Sequence, residues 1–505
     1  MAYLKMALNW LNHFVWGAPA LLMILAVGLY LSFSTGFVQL SLFPKALRNF
    51  YKKLKGNSSE KGVSSYQSLC TALSATVGTG NIAGVAGAIA IGGPGAVFWM
   101  WLCGLLGMVV KLAEATLAVH FQKRAESDAP CGGPMYMIER GMGAKYRWLA
   151  CLYAFFGVTA AFGVGNATQV NAVLDGLKCV CLTAGCEKNI WTDLIVAFLL
   201  AALTAVCLLG GAKRIGKVAQ NVIPFAAGGY ILLGIMVLLL CRERIPRAIE
   251  QIFVGAISPK AITGGAIGSA FIALRTGISR GVFTNEAGMG TAAIAYASAE
   301  VTHPVEQGLM GIIEVFIDTL VICSITALVI LCSDCGIVFG VDEGAALTMR
   351  AFSEVLGEWV SFPLAAFMAL FAFATMLGWG LYGARCVQYL LGSRALGCFA
   401  ILQAAVVIIS TFLKTETVWL LAEIMNGLMA LPNLIALLAL SPVLFHLIND
   451  YKYKGALCAP GGTYESFHQC KSLRTFSYEK IPSLSGCSRK AREEDLSFKH
   501  RPAGH

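Results

Sequence analysis

Asn81 lies in TVGTGNIAGVAGAIAIGGPGAVFWMW (76–101), a membrane-type apolar run without a charged residue, punctuated by Gly78, Gly80, Gly84, Gly87, Gly92, Gly93 and Gly95. Glycine costs a helix interior about 1 kcal/mol relative to alanine, so TVGTGN is expected to unwind. Free N–H and C=O groups find no water at membrane depth, so unwound backbone there must be buried in protein or line a cavity. A broken helix of this kind points to a binding site. Close helix packing through small residues at four-residue spacing is the rival reading. It accounts for Gly80 and Gly84, and poorly for Asn81.

Polar side chains inside other apolar runs are costly in lipid and are therefore functional candidates. FGVGNATQVNAV sets Asn166, Gln169 and Asn171 around Gly163 and Gly165. The Gln169 amide offers donors and an acceptor, which suits a zwitterion; Asn171 suits a bond to a neighbouring helix. Thr375 and Trp379, four apart in FAFATMLGWGLYGAR, share one helix face. A threonine hydroxyl can bind sodium or donate to a carboxylate, and a tryptophan beside it can wall a small pocket; core packing is equally consistent. Lys111 and Glu114, three apart, read as a structural ion pair. Glu314 and Asp318 suit a cation path, or capping and gating contacts with Arg275 or Arg280. The spans hold no His/Asp metal cluster or Ser/His pair, and His120 and His303 fall at helix ends, so an enzyme is not expected. A channel would need a continuous polar pore, and these polar groups are isolated.

The elements that must position these residues follow from composition. The 505 residues are 57% hydrophobic and 13% charged, with mean hydropathy +0.70, which describes an all-α polytopic membrane protein in a lipid bilayer. The net charge of +10 sits in loops and tail and is no nucleic-acid signal. A span needs about 20 apolar residues, which gives roughly eleven helices. They fall near 18–36, 68–91, 95–121, 148–177, 191–210, 217–241, 262–297, 306–332, 359–391, 395–413 and 417–448. The first is expected to be retained, not cleaved as a signal peptide. Pro432 marks a kink or a division of the last. VDEGAALTMRAFSEVLGEW (341–359) is too polar to span and reads as a short helix at one surface.

The seventh run contains ITGGAIGSAFIALRTGISRGVFTNEAGMG (262–290), broken by Gly264, Gly265, Gly268, Gly277, Gly281, Gly288 and Gly290 and made polar by Arg275, Arg280, Asn285 and Glu286. Runs two and seven are thus both glycine-broken, the first and sixth of ten that follow one extra helix. That pattern belongs to a five-plus-five inverted repeat whose discontinuous helices form a midplane site. The chain divides on this reading into the extra helix and basic loop (1–66), a ten-helix core (67–449) and a basic, disordered tail (450–505).

Lys45, Arg48, Lys52, Lys53, Lys55 and Lys61 crowd the first loop, Lys123, Arg124, Lys145 and Arg147 the third, and Lys213, Arg214 and Lys217 the fifth. The positive-inside rule makes these loops cytoplasmic, with the N-terminus outside and the C-terminus inside. Arg242, Arg244 and Arg247 resist it. The seventeen cysteines show no zinc spacing, and Cys179, Cys181 and Cys186 share one polar loop where a disulfide could form.

TALSATVGTGNIAGVAGAIAIGGPGAVFWMW resembles the hallmark of the alanine or glycine:cation symporter family, the sodium:alanine symporters. SRGVFTNEAGMGTAAIA (279–295), HPVEQGLMGIIEVFIDTLVICSITALVIL (303–331) and FATMLGWGLYGARC (373–386) resemble further family blocks, across roughly residues 15–450. Gly104, where another small residue is expected, departs mildly. The resemblance implies a LeuT-type core behind one extra helix, in a bacterial or archaeal plasma membrane. It implies sodium-coupled uptake of a small neutral amino acid (alanine, with glycine, serine and D-alanine open), or proton-coupled uptake as the alternative, with Na⁺ as coupling ion and no cofactor. The substrate carboxylate is then expected at the N–H groups of Thr79, Gly80 and Asn81, where helix N-termini carry partial positive charge. Gln169 and unwound carbonyls would take the ammonium, with Thr375 and Trp379 closing the pocket. By analogy with LeuT-type transporters, sodium would meet Ser74 and Val77 carbonyls, Ala372 and Thr375.

Overall fold

The computed structural model describes residues 2–55, 63–124, 130–185, 189–265, 269–413 and 415–457, and the chain through Leu447 forms one compact unit. Two helices, α1 (Ala2–Val15) and α2 (Ala18–Ser34), come first. FPKALRNFYKKLK, taken above as basic loop, is the amphipathic α3 (Phe43–Lys55), with Ala46 buried and Arg48 and Lys52 exposed.

The first broken span is α4 (Ser65–Thr76) and α5 (Gly80–Gly92), bent by 49°. A reciprocal cap starts it: the Gln67 backbone N–H donates to the Ser64 hydroxyl and the Ser64 backbone N–H to Gln67 Oε1, each at 3.1 Å. Gly93, at φ 75°, ends α5 before the long α6 (Ala96–His120). Three spans follow, α7 (Ala144–Cys181), α8 (Ile190–Leu209) and α9 (Gly211–Leu240), then the shorter α10 (Ile245–Ile257). Gly95 lets the GGPG turn press on α10: a Cβ there would lie 2.0 Å from the Gly255 carbonyl carbon.

From Ala270 on, the chain forms α11 (Ala270–Asn285) and α12 (Thr291–Tyr296), separated by a second break. The chain continues through α13 (Pro304–Cys332), α14 (Ala345–Leu356), α15 (Glu358–Leu391), α16 (Ser393–Phe412), α17 (Thr415–Ala439) and α18 (Ser441–Leu457). Within the turns, α5, α7 and α13 widen into π-helical segments at Gly80–Gly84, Gly163–Ala167 and Phe316–Cys323. Such wide turns often mark functional positions.

Among the described residues eight helices are long and apolar enough to cross a membrane, nine if α4 and α5 count as one span. The expected eleven shortens at two runs: α2 has only 17 residues, and the second break leaves α11 at 16 and α12 at 6. The last run does divide, but at Leu440; Pro432 stays inside α17. The expected surface helix of 341–359 is α14, and it packs inward. Leu347, Met349 and Phe352 are buried, and the Thr348 hydroxyl donates to the Ile82 carbonyl at 3.0 Å. Gly268, Cys186 and the tail from 458 onward lie outside the described residues; Cys179 and Cys181 are free thiols.

Candidate functional site

The α4 helix stops because Val77 is extended (φ −77°, ψ 95°), which leaves its last carbonyls without the donors of a further turn. Such carbonyls form the negative end of a helix dipole and suit a cation. Asn81 fixes the shape of the break. Its Oδ1 accepts the Gly78 N–H at 2.8 Å, and its Nδ2 donates to Asp318 Oδ1 at 2.7 Å and to the Asp318 carbonyl at 3.2 Å. The Asn81 N–H itself closes a turn onto the Gly78 carbonyl at 3.2 Å.

The α7 helix reaches the same place. The Thr79 hydroxyl donates to Gln169 Oε1 at 3.2 Å, while Gln169 Nε2 donates to the Val164 carbonyl and to Thr168 Oγ1. From α15, Thr375 faces the unwound backbone: a Cβ on Gly78 would lie 2.8 Å from Thr375 Oγ1. Thr375 is 2% exposed, and its buried hydroxyl has no hydrogen-bond partner. An orphaned buried hydroxyl beside open backbone is where a polar ligand fits. One turn on, Gly378 lets α15 and α4 touch, since a Cβ there would come within 2.8 Å of Ser74 Oγ and 3.0 Å of the Ala75 nitrogen. Ser74 donates its hydroxyl to the Thr71 carbonyl. Thr79, Gly80, Asn81, Gln169 and Thr375 are therefore gathered, with Ser74 and Val77 along the same edge. Ala372 is packed among Val170, Val173 and Met376. Trp379 is fully buried, but its indole N–H points to the second break and donates to Glu286 Oε1 at 3.0 Å.

That second break is knitted by carboxylates. Glu286 takes the left-handed conformation (φ 53°), and Gly288 (φ 93°) and Gly290 (φ 74°) follow in kind. The N–H groups of Gly288 and Gly290 and the Asn433 amide all donate to Glu114 Oε1, at 2.9, 3.0 and 2.7 Å. Lys111 and Glu114 attract one another as their spacing suggests, but each has its close contacts elsewhere. Glu114 turns to the broken backbone, and Lys111 reaches across to α13, with Nζ 3.2 Å from Glu314 Oε1. Glu314 and Asp318 do not meet Arg280. Asp318 holds Asn81, and Glu314 accepts the Tyr296 hydroxyl at 2.7 Å. Arg280 instead ties α11 to Asp342 (3.1 Å) and to Glu423 of α17 (3.7 Å). Asn12 and Trp16 also bind Glu423, and this latch borders a cavity of about 330 Å³. Asn166, not Asn171, bonds a neighbouring helix, through Gln403 of α16. His303 caps α13, its Nδ1 accepting the Val305 N–H, and His120 ends α6.

Asp318 and Glu286 carry more of this geometry than the sequence reading assigned them. The available signal was their type: ionisable groups inside or beside apolar runs.

Comparison with known proteins agrees with the architecture. The sequence model described as the sodium:alanine symporter family matches residues 1–457. An uncharacterised transporter of Haemophilus influenzae is 41% identical over 449 residues, covering 88% of this chain and 95% of the relative. The sodium/alanine symporter AgcS of Methanococcus maripaludis is 40% identical over 443 residues, covering 86% and 94%. The crystal structure of MhsT in complex with L-phenylalanine superposes with a TM-score of 0.54 at 12% identity, covering 78% of this chain and 99% of that one. That likeness is one of fold, and the fold is LeuT-type. With its broken helices, apolar spans and close relatives, this multi-pass membrane transporter belongs to the sodium:alanine symporter family.

Proposed function

We propose that this chain couples sodium to the uptake of a small neutral amino acid, alanine first among candidates, at the break between α4 and α5. The observation that carries this reading is the unpartnered Thr375 hydroxyl, buried against the backbone of Gly78. The substrate carboxylate meets N–H groups at Thr79 and Gly80, which Asn81 holds in place. Gln169 and unwound carbonyls receive the ammonium, and Thr375 and Trp379 bound the side-chain space. Sodium meets the Ser74 and Val77 carbonyls with Ala372 or Thr375, an all-oxygen set suited to a hard cation. The AgcS name supports both cargoes.

Orientation follows from charge. On the positive-inside reading, the cavity of about 940 Å³ bordered by Val63, Pro130 and Lys213, from the three basic loops, lies on the cytoplasmic side. On this reading the Arg280 latch lies on the outer side, where it holds α11 to α17. Arg244, one of the exceptions to the charge rule, is met by Asp334 at 3.0 Å. The two glycine-broken spans support an inverted-repeat core in which one bundle rocks against the other.

Purified protein in proteoliposomes tests this reading. An inward sodium gradient is expected to drive concentrative uptake of labelled alanine, competed by glycine, serine or D-alanine according to pocket size. Uptake driven equally by a proton gradient without sodium would transfer the coupling to protons. Passive ion current without uptake would refute a transporter.

A further inference from the structure

Around the second break, buried negative charge outnumbers buried positive charge. Lys111, Glu114, Glu286 and Glu314 are each at most 2% exposed, and the Lys111 ammonium interacts with all three carboxylates. Asp318, fully buried, adds a fourth carboxylate one turn from Glu314. Ionised groups in such a place must be met by donors, by a cation or by a proton.

Hydrogen bonds sort them. Glu314 has the ammonium and the Tyr296 hydroxyl. Glu114 has two backbone N–H groups and the Asn433 amide. Asp318 accepts from the Asn81 amide and the Thr319 hydroxyl. Glu286, among the described residues, accepts the Trp379 indole N–H, 3.0 Å from Oε1, and the Thr291 hydroxyl, 2.6 Å from Oε2; the Thr319 hydroxyl beside Asp318 already accepts the Asn285 amide at 3.3 Å, whereas the Thr291 hydroxyl has no such donor among them. An indole only donates, whereas a hydroxyl donates to a carboxylate and accepts from a carboxylic acid. Oε2 can therefore carry a proton and give it to Thr291 without moving a heavy atom.

A further group faces this cluster. Tyr382 is 1% exposed, and its buried hydroxyl has no hydrogen-bond partner. Its ring packs on Trp379 with centroids 5.7 Å apart, and the hydroxyl interacts electrostatically with Glu286, Glu314 and Glu114. Tyr153, whose hydroxyl donates to the Met289 carbonyl, completes the titratable groups packed around the break from α7. A sodium ion needs several oxygen ligands gathered around it, whereas a proton on Oε2 leaves every heavy atom in place.

We propose that Glu286 is a proton-binding site: its carboxylate takes a proton from water to become the carboxylic acid, and its charge state is linked to the substrate pocket through Trp379. Loading the proton favours the conformation described here. Raising pH removes it, leaves an extra buried anion and shifts the protein away from this conformation. The link to transport rests on the functional reading above; the proton site does not.

Infrared difference spectroscopy of the purified protein across a pH titration tests the site without transport. A carboxylic-acid C=O band that disappears on alkalinisation is expected in the wild type and is expected to be lost in Glu286→Gln, with circular dichroism showing retained helix. An unchanged band in folded Glu286→Gln would overturn the assignment. So would removal of the band by sodium at constant pH, which would make the site a sodium site. Should Glu286→Gln fail to fold, Tyr382→Phe must shift the pH at which the band titrates, and an unshifted titration would overturn the proposal. In proteoliposomes, the pH profile of sodium-driven alanine uptake is expected to flatten in Glu286→Gln. An unchanged profile would overturn the link to the substrate pocket, with the band deciding the proton site separately.

Discussion

Gly95→Ala is expected to remove most folded protein from the membrane. The added methyl would lie 2.0 Å from the Gly255 carbonyl carbon and 2.2 Å from the Ala256 nitrogen. Overpacking costs about 1–3 kcal/mol where side chains can yield. Here both sides are backbone, so α6 and α10 must separate, and the loss is expected at or above the top of that range. Gly95 itself has an ordinary helical φ of −62°, so the requirement is for space and not for a left-handed turn. Gly397→Ala is the control, because nothing lies within 4 Å of a Cβ there. Thermal unfolding followed by size-exclusion chromatography should show a large loss for the first and little change for the second. Equal stability of the two would refute the close approach.

Lys111→Met is the other severe change. It removes the ammonium 3.2 Å from Glu314 and leaves carboxylates buried without it. Removing one partner of a buried ion pair costs about 3–5 kcal/mol, whereas replacing both by apolar residues is often nearly neutral. The Lys111→Met/Glu314→Leu double variant should therefore be more stable than Lys111→Met alone. Full rescue is not expected, because Glu114 and Glu286 also lose the attraction of Lys111. If the double variant were less stable than the single one, the pairing would not be what holds α6 to α13. A melt of all three proteins decides this.

Much of the architecture was legible in the residues because the bilayer leaves few options. Apolar runs of sufficient length become helices, and glycine clusters with an internal asparagine mark where a helix breaks. Asn81, Thr79, Gln169 and Thr375 could be picked out for the same reason, since each is polar where lipid would otherwise be. Which partner each takes was not legible. Lys111 and Glu114 have ideal spacing for a pair along one helix, yet the N–H groups freed at the second break compete for Glu114, and Glu314 is then the carboxylate that meets Lys111. Arg280 likewise finds Asp342 and Glu423, which lie 62 and 143 residues away in the chain. The π-helical turns in α5, α7 and α13 leave no periodicity to read, because one added residue per turn changes no composition.

The unwound segment facing Thr375 is tested most directly by equilibrium binding of labelled alanine to purified protein, with and without sodium, for the wild type and Thr375→Val. Valine keeps the shape and removes the hydroxyl. Hydrogen bonds to charged groups contribute about 1.5–3 kcal/mol, so Thr375→Val is expected to weaken sodium-dependent alanine binding by roughly tenfold or more. Wild-type affinity for both alanine and sodium in that variant would contradict the site.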